Sequence, residues 1–176
     1  MEVLSPMMEE SAKTAHDSSV LSSIGRFYLQ CGKVDEAADV FVRSENAAAA
    51  ELAAAGEGTL LDAPLAESSQ VKTRAGRLRI MLSTNKALLH VARGDYANAE
   101  EVLRGIFPGS WRSAGETKVD LATQLNNLAV ALFYLGFLEE PLEMLETLLK
   151  EAPSSATATE ALMFNLTTFY ELSRDE

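Results

Sequence analysis

LSSIGRFYLQCGKVDEAADVF, residues 21–41, holds the spacing of small and large side chains that decides the fold of this chain. The spacing is set by six residues, namely Gly25, Tyr28, Gly32, Val34, Ala37 and Phe41. A small residue such as Gly25 lets a second helix cross close to the backbone of the first, and Ala37 would face it from that second helix. Gly32 lies between them, where a helix must end in the left-handed conformation that glycine adopts at little cost. The stretch therefore predicts a helical hairpin.

The same offsets recur twice further along the chain. The second copy runs Ala87, His90, Gly94, Tyr96, Ala99, Leu103, and the third runs Ala129, Leu132, Gly136, Leu138, Pro141, Leu145. Pro141 replaces the alanine in the first turn of a second helix, where its missing N–H is harmless. The three copies resemble the tetratricopeptide repeat, a unit of about 34 residues. The resemblance implies an all-α fold, a right-handed α-solenoid of about three helical hairpins.

The copies are unevenly spaced, which predicts insertions. Gly32 and Gly94 lie 62 residues apart, and Gly94 and Gly136 lie 42 apart. We expect a flexible N-terminal segment at 1–17 and one repeat domain at 18–176, with an insert at 46–70 and a long loop at 107–118. The alanine-rich start of the insert favours helix, so the second helix of the first hairpin should run to about Ala55, with a loop beyond Gly56.

The last segment of the chain, residues 163–176, predicts one further helix. Leu162, Leu166, Phe169 and Tyr170 follow a helical period and form one apolar stripe. This helix falls in register with the first helix of a repeat: Met163, Leu166, Thr167 and Tyr170 take the places of Leu125, Leu128, Ala129 and Leu132. It should cap the third hairpin, and its outer aromatic residues, Phe169 and Tyr170, are candidates for contact with another subunit.

Composition and charge exclude several functions. The net charge of −11 argues against binding to nucleic acid and against unaided adhesion to anionic lipid. No secretory signal and no apolar run long enough to span a membrane is present, so the expected compartment is the cytoplasm. The single cysteine, Cys31, excludes a disulfide framework, and we expect it to fill a helix interface. A local basic cluster is either a solvated face or a docking patch for an acidic partner, and its members are Lys72, Arg74, Arg77 and Arg79.

No catalytic constellation is evident. The chain lacks a nucleophile motif and a phosphate-binding loop. His90 takes a core position of the repeat, where histidine is more often a packed residue than a base. Acid pairs such as Glu139 and Glu140 open second helices, where the helix dipole favours them. We therefore predict neither an enzyme nor a cofactor, metal or small-molecule site.

The candidate binding residues are three amides and two aromatic side chains. Asn85, Asn127 and Asn165 hold equivalent places on successive first helices. An amide can donate to C=O and accept from N–H, so these asparagines either bind the backbone of an extended peptide in a groove or join neighbouring helices. Trp111, in the loop at 107–118, is either packed beneath its own loop or exposed as a partner anchor. Phe169, on the last predicted helix, is the second aromatic candidate for contact with a partner.

Four blocks of the chain carry a more particular resemblance. They are LSSIGRFYLQCGKVDEAADVF, NKALLHVARGDYANAEEVL, LNNLAVALFYLGFLEEPLEMLETLLKEAP and LMFNLTTFYELSRDE. Together they resemble the C-terminal repeat region of the subunit 12 family of the transport protein particle (TRAPP), a tethering complex of membrane traffic. The segment FNLTTFYEL is the most specific part, because it is unlike a generic repeat helix.

The resemblance implies a non-catalytic scaffold or adaptor. Such a subunit acts by protein–protein binding within a Rab exchange-factor complex, in ER-to-Golgi transport and autophagy. Its implied partners are other TRAPP subunits, in particular the large subunits 8 and 11. Its implied location is cytoplasmic, at the periphery of Golgi and ER–Golgi intermediate membranes. The alternative is a peptide-binding co-chaperone, although the basic clamp that some such relatives use to hold a carboxylate is not in register here.

Overall fold

The computed structural model describes residues 16–56, 73–107, 110–113, 121–151, 153 and 160–173. These residues form seven α-helices and one short 3-10 helix, with no strand among them. The helices are α1 (Ser18–Gln30), α2 (Val34–Ala54), α3 (Arg74–Ala92), α4 (Tyr96–Arg104), α5 (Ala122–Tyr134), α6 (Glu139–Glu151) and α7 (Glu160–Ser173). The 3-10 helix, Trp111–Ser113, lies between α4 and α5. The prediction of an all-α fold built from tetratricopeptide-like helices is confirmed.

Some predictions concern residues outside the described part of the chain. The expected flexible segment lies almost entirely within 1–15, and the expected loop beyond Gly56 lies within 57–72, so both are outside the described part of the chain. The same holds for residues 114–118 of the long loop and for Lys72. The described residues belong to two compact units. The first unit contains α1, α2 and α3, and the second contains α4 to α7.

The predicted glycine corners are present. Gly32, Gly94 and Gly136 have φ angles of 73°, 74° and 88°, the left-handed conformation that disfavours other residues. At the first corner, the N–H of Lys33 donates to the carbonyl oxygen of Tyr28 over 2.9 Å and closes the end of α1. Gly56, with φ of 76°, follows the end of α2 at Ala54, as the alanine-rich insert predicted.

The first unit is held by the close approach of α1 and α2. A Cβ atom added to Gly25 would lie 2.6 Å from Cδ1 of Phe41, so the small residue is needed where the helices meet. Around this contact lies one apolar cluster, made of Leu21, Ile24, Tyr28, Ala37, Val40 and Phe41. The last turns of α2 bury Ala48 and Leu52 against Ala75 and Leu78 of α3, which explains why α2 extends beyond an ordinary repeat helix.

The second unit is built around the hairpin of α5 and α6. Its apolar side chains are almost fully buried, namely Leu125, Leu128, Ala129 and Leu132 on α5 and Met144, Leu145 and Leu148 on α6. Pro141 is buried in the first turn of α6, as its position after Gly136 predicted. The last helix, α7, packs against both α5 and α6, where a capping helix was expected.

Two predicted placements of single side chains are wrong. Phe169 is not an outer residue of α7: it is 3% exposed and its ring stacks on Phe133 with centroids 4.8 Å apart. Leu162, Leu166 and Phe169 form the buried stripe, because this side of α7 meets α5 and α6. Cys31 is exposed, since it caps the end of α1 directly before the Gly32 corner.

Candidate partner-binding surfaces

Asn85 joins two helices of the first unit. Its side chain is 2% exposed, and its Oδ1 accepts from Ser22 Oγ and from Arg26 Nε, each over 2.9 Å. Both donors lie on α1, whereas Asn85 lies on α3. Burial lowers the pKa of Arg26. The amide Nδ2 of Asn85 is buried without a hydrogen-bond partner among the described residues. This geometry favours the helix-joining role for Asn85.

Asn165 has a similar role in the second unit. Its Nδ2 donates to Oδ1 of Asn126 over 3.0 Å, and this bond joins α7 to α5. Asn126 is buried, although the sequence pattern had singled out its neighbour Asn127. Asn127 is half-buried on α5. Groove binding by Asn127 therefore stays a prediction, and two of the three predicted amides make contacts between helices.

Trp111 is buried, in contrast to the exposed placement that the sequence left open. It is 3% exposed, and its Nε1 donates to Oε1 of Glu140 over 3.0 Å. The guanidinium carbon of Arg112 lies 4.6 Å from the centre of the indole ring, within the range of a cation–π contact. The indole is thus covered in this structure and is not presented as an anchor for a partner.

Glu140 is the centre of an ionic cluster in the second unit. Arg104 donates to it twice, over 3.1 and 2.9 Å, and also to Glu100 one turn earlier on α4. Arg112 lies 3.5 Å from Glu140 and donates to Glu143 over 2.6 Å. The hydrogen bond from Arg104 is the main cause that lowers the pKa of Glu140, and the same bond raises the pKa of Arg104. The cluster joins Trp111 and Arg112 to α6.

Sequence reasoning had placed Glu140 only as an acid at the start of a helix. The pair of Glu100 and Arg104 could have been found from its spacing of four residues on a helix. The contacts of Glu140 with Trp111 and Arg112 connect residues about 30 positions apart along the chain, for which no local spacing rule exists.

A cavity of about 150 Å³ lies beside this cluster. It is lined by Arg104, Phe107, Ser110, Trp111 and Leu128. Small-molecule sites usually enclose about 300–1,000 Å³, so this cavity is too small for a ligand of that class. In the described part of the chain, no group of three or more His, Cys, Asp or Glu side chains is arranged to hold a metal ion.

The basic cluster lies at the start of α3. Arg74 is exposed and pairs with Glu51 of α2 over 3.2 Å. Arg77 is exposed as well, and Arg79 is half-buried, with a pKa that burial lowers. Part of the cluster is thus engaged within the first unit, while the docking role of the remainder stays a prediction. None of the described helices is both long and apolar enough to cross a membrane.

Exposed apolar side chains concentrate in the second unit. Nine large apolar residues are exposed in the described part of the chain, and seven of them belong to this unit. Tyr134, Leu135 and Phe137 surround the corner between α5 and α6, and the ring of Tyr134 stacks on Tyr96 with centroids 4.5 Å apart. The other four lie on α7 and are Met163, Phe164, Tyr170 and Leu172. Surfaces of this kind are typical of protein–protein contact.

Sequence comparison relates this chain to known proteins. Neither a protein-family model nor a solved structure matches the chain. Human trafficking protein particle complex subunit 12 is 29% identical over 156 residues, which cover 89% of this chain and 17% of the human protein. The mouse protein of the same name is 28% identical over 156 residues, which cover 89% of this chain and 16% of the mouse protein. By sequence, the chain is thus a distant relative of trafficking protein particle complex subunit 12, and spans about a sixth of the length of these relatives.

Proposed function

We propose that this chain is a non-catalytic scaffold or adaptor subunit of a TRAPP-type vesicle-tethering complex. It acts by protein–protein binding, in ER-to-Golgi traffic and autophagy, and the Rab exchange chemistry belongs to other subunits. Its partners are other TRAPP subunits, with the large subunits 8 and 11 as the first candidates. It is cytoplasmic and reaches Golgi and ER–Golgi intermediate membranes through the complex.

The observation that carries this proposal is the match over 156 residues to a protein named as a subunit of the trafficking particle complex. The distribution of side chains supports it. The described polar clusters, around Asn85 and Glu140, are engaged in joining helices and in joining Trp111 to α6. The exposed apolar residues of the second unit are the kind of surface that a binding subunit offers to its partners.

Affinity purification of the tagged chain, followed by mass spectrometry, tests the proposal. We expect TRAPP subunits, subunits 8 and 11 among them, in amounts that stay constant through successive washes. A matched control is the same tag on a chain unfolded by a proline in the middle of α5, Ala129→Pro, since proline inside a helix costs about 3 kcal/mol or more. Recovery of chaperones without TRAPP subunits would favour the co-chaperone function instead.

A further inference from the structure

The helices α5 and α7 both align with the first helix of a repeat, but equivalent side chains on them differ in burial. On α5, Leu125, Ala129 and Leu132 are at most 2% exposed in the hairpin with α6. Their counterparts on α7 are Met163, Thr167 and Tyr170. Met163 is 36% exposed, Tyr170 is 40% exposed, and Thr167 is exposed as well. The side of α7 that would meet the second helix of a hairpin is therefore uncovered.

A neighbouring side of α7 shows the same difference. Asn126 of α5 is buried where α7 approaches, through its bond with Asn165. Phe164 takes the corresponding place on α7 and is 70% exposed. We call this uncovered surface the α7 face and define it by Met163, Phe164, Thr167 and Tyr170.

The negative charge of the second unit indicates which kind of partner the α7 face could bind. In the described part of the second unit, ten acidic side chains stand against three basic ones, an excess of seven negative charges. The three basic residues are Arg104, Arg112 and Lys150, and each is paired with a glutamate of the same unit. On α7, Glu160 and Glu171 are exposed, and no Lys or Arg occurs between residues 160 and 173. A second copy of the chain would bring like charges together, whereas a basic partner would be attracted.

We propose that the α7 face binds an amphipathic helix of a partner protein, with Lys or Arg at the margins of its apolar side. The partner's helix packs on α7 in the position that the second helix of a hairpin, such as α6, takes on its first helix. Thr167 occupies the place of Gly25 and Ala129 in the repeat pattern, and at Gly25 the side chain of the second helix that comes closest is Phe41. This inference rests on the proposed function, because it names one surface through which that binding is made.

The chain itself supplies a probe with this chemistry. A fluorescent peptide with the α2 sequence, residues 34–54, carries Ala37 and the apolar side of a second helix. Replacing three of its four exposed acids by lysine, Asp35→Lys, Glu36→Lys and Asp39→Lys, adds the basic margin. We expect the purified full chain to raise the anisotropy of this peptide in a saturable manner. The unaltered acidic peptide should bind at least about tenfold more weakly, and high salt should reduce the difference.

Phe164→Glu and the matched control Val42→Glu locate the binding site. Both positions are exposed and apolar, at 70% and 57%, but Val42 lies on α2 of the first unit. Phe164→Glu should weaken binding of the lysine peptide by at least about tenfold, since it puts an unpaired charge into the apolar contact. Val42→Glu should leave the affinity unchanged. Circular dichroism should show that both variants keep the helix content of the parent chain.

Two results would overturn the proposal for the α7 face. One is the absence of saturable binding of the lysine peptide, and the other is an equal affinity of that peptide for the parent chain and for Phe164→Glu. Failure of this proposal is separable from failure of the proposed function. If TRAPP subunits are recovered equally with the parent chain and with Phe164→Glu, the function stands and the surface is wrong. If the peptide binds at the α7 face but no TRAPP subunit is recovered with the parent chain, the surface stands and the function is wrong.

Discussion

Replacing Gly25 by alanine would add one methyl group where α1 and α2 meet. The added carbon would lie 2.6 Å from Cδ1 and 3.1 Å from Cζ of Phe41, well inside the carbon–carbon contact distance of about 3.5–4.0 Å. Phe41 is buried among the core residues of the first unit, so its ring has little room to move. Either the ring leaves its position or the two helices separate.

The expected cost follows from two opposing effects. Overpacking a core costs about 1–3 kcal/mol. Exchange of glycine for alanine inside a helix gains about 1 kcal/mol. We therefore expect Gly25→Ala to lower the free energy of unfolding by about 1 kcal/mol net. In a chain that carries Phe41→Val the ring is absent, and the same exchange should raise the free energy of unfolding by up to about 1 kcal/mol.

Urea unfolding of both single variants and the double variant, followed by far-UV circular dichroism, measures the coupling between the two positions. We expect a coupling free energy of at least about 1 kcal/mol. Gly32→Ala is the control: it is strained by its φ of 73°, has no atom within 4 Å of the added carbon, and should show no coupling to Phe41→Val. A coupling below about 0.3 kcal/mol, or a more stable Gly25→Ala chain, would refute the close approach of the two helices.

Three further predictions test other parts of the structure. Ala99 is fully buried in the second unit, so Ala99→Leu should cost about 1–3 kcal/mol, and an unchanged melting temperature would show that the repeat register is wrong. The pKa of Glu140 is lowered mainly by Arg104, so its contribution to stability is present above the ordinary value of 4.5 and is lost as the pH falls through the lowered pKa. Melting temperatures measured from neutral pH to about pH 3 should therefore fall less steeply for Glu140→Gln than for the parent chain. Asn85→Ala leaves two donors of α1 without their acceptor and should cost about 1–3 kcal/mol, whereas Asn127→Ala, on a half-buried site, should change stability by less than about 0.5 kcal/mol. A loss of stability for Asn127→Ala as large as for Asn85→Ala would contradict the different placements of the two amides.

The fold class could be predicted from the sequence because its determinants are local. A glycine corner depends on the φ angle of one residue, as at Gly32, Gly94 and Gly136. The close contact of two helices depends on a small and a large side chain at a short separation along the chain, as for Gly25 and Phe41. The helical extension to Ala54 follows from a run of alanines with high helix propensity. None of these features needs knowledge of a distant residue.

The candidate site could be predicted only in part. The three asparagines lie on α3, α5 and α7, but whether an amide faces a ligand or a neighbouring helix depends on what lies opposite it. For Asn85 the opposite residues are Ser22 and Arg26, about 60 positions earlier in the chain. The sequence does not show that Asn85 meets Ser22 and Arg26, because the insert between α1 and α3 has no counterpart in a regular repeat.

On its own, the sequence determined the hairpins, their corners and the relationship to subunit 12 of the trafficking particle complex, since these reside in the order and spacing of residues. Only the tertiary structure decided which side of each element is covered. On α7, the helical period put Leu162, Leu166, Phe169 and Tyr170 into one stripe, but contact with α5 and α6 buries the first three and leaves Tyr170 exposed. For Trp111, two contacts of long sequence separation, from its own Nε1 and from Arg112 to Glu140, accompany the burial of the indole. Burial is a property of the packed neighbours, and those neighbours are known only once the chain has folded.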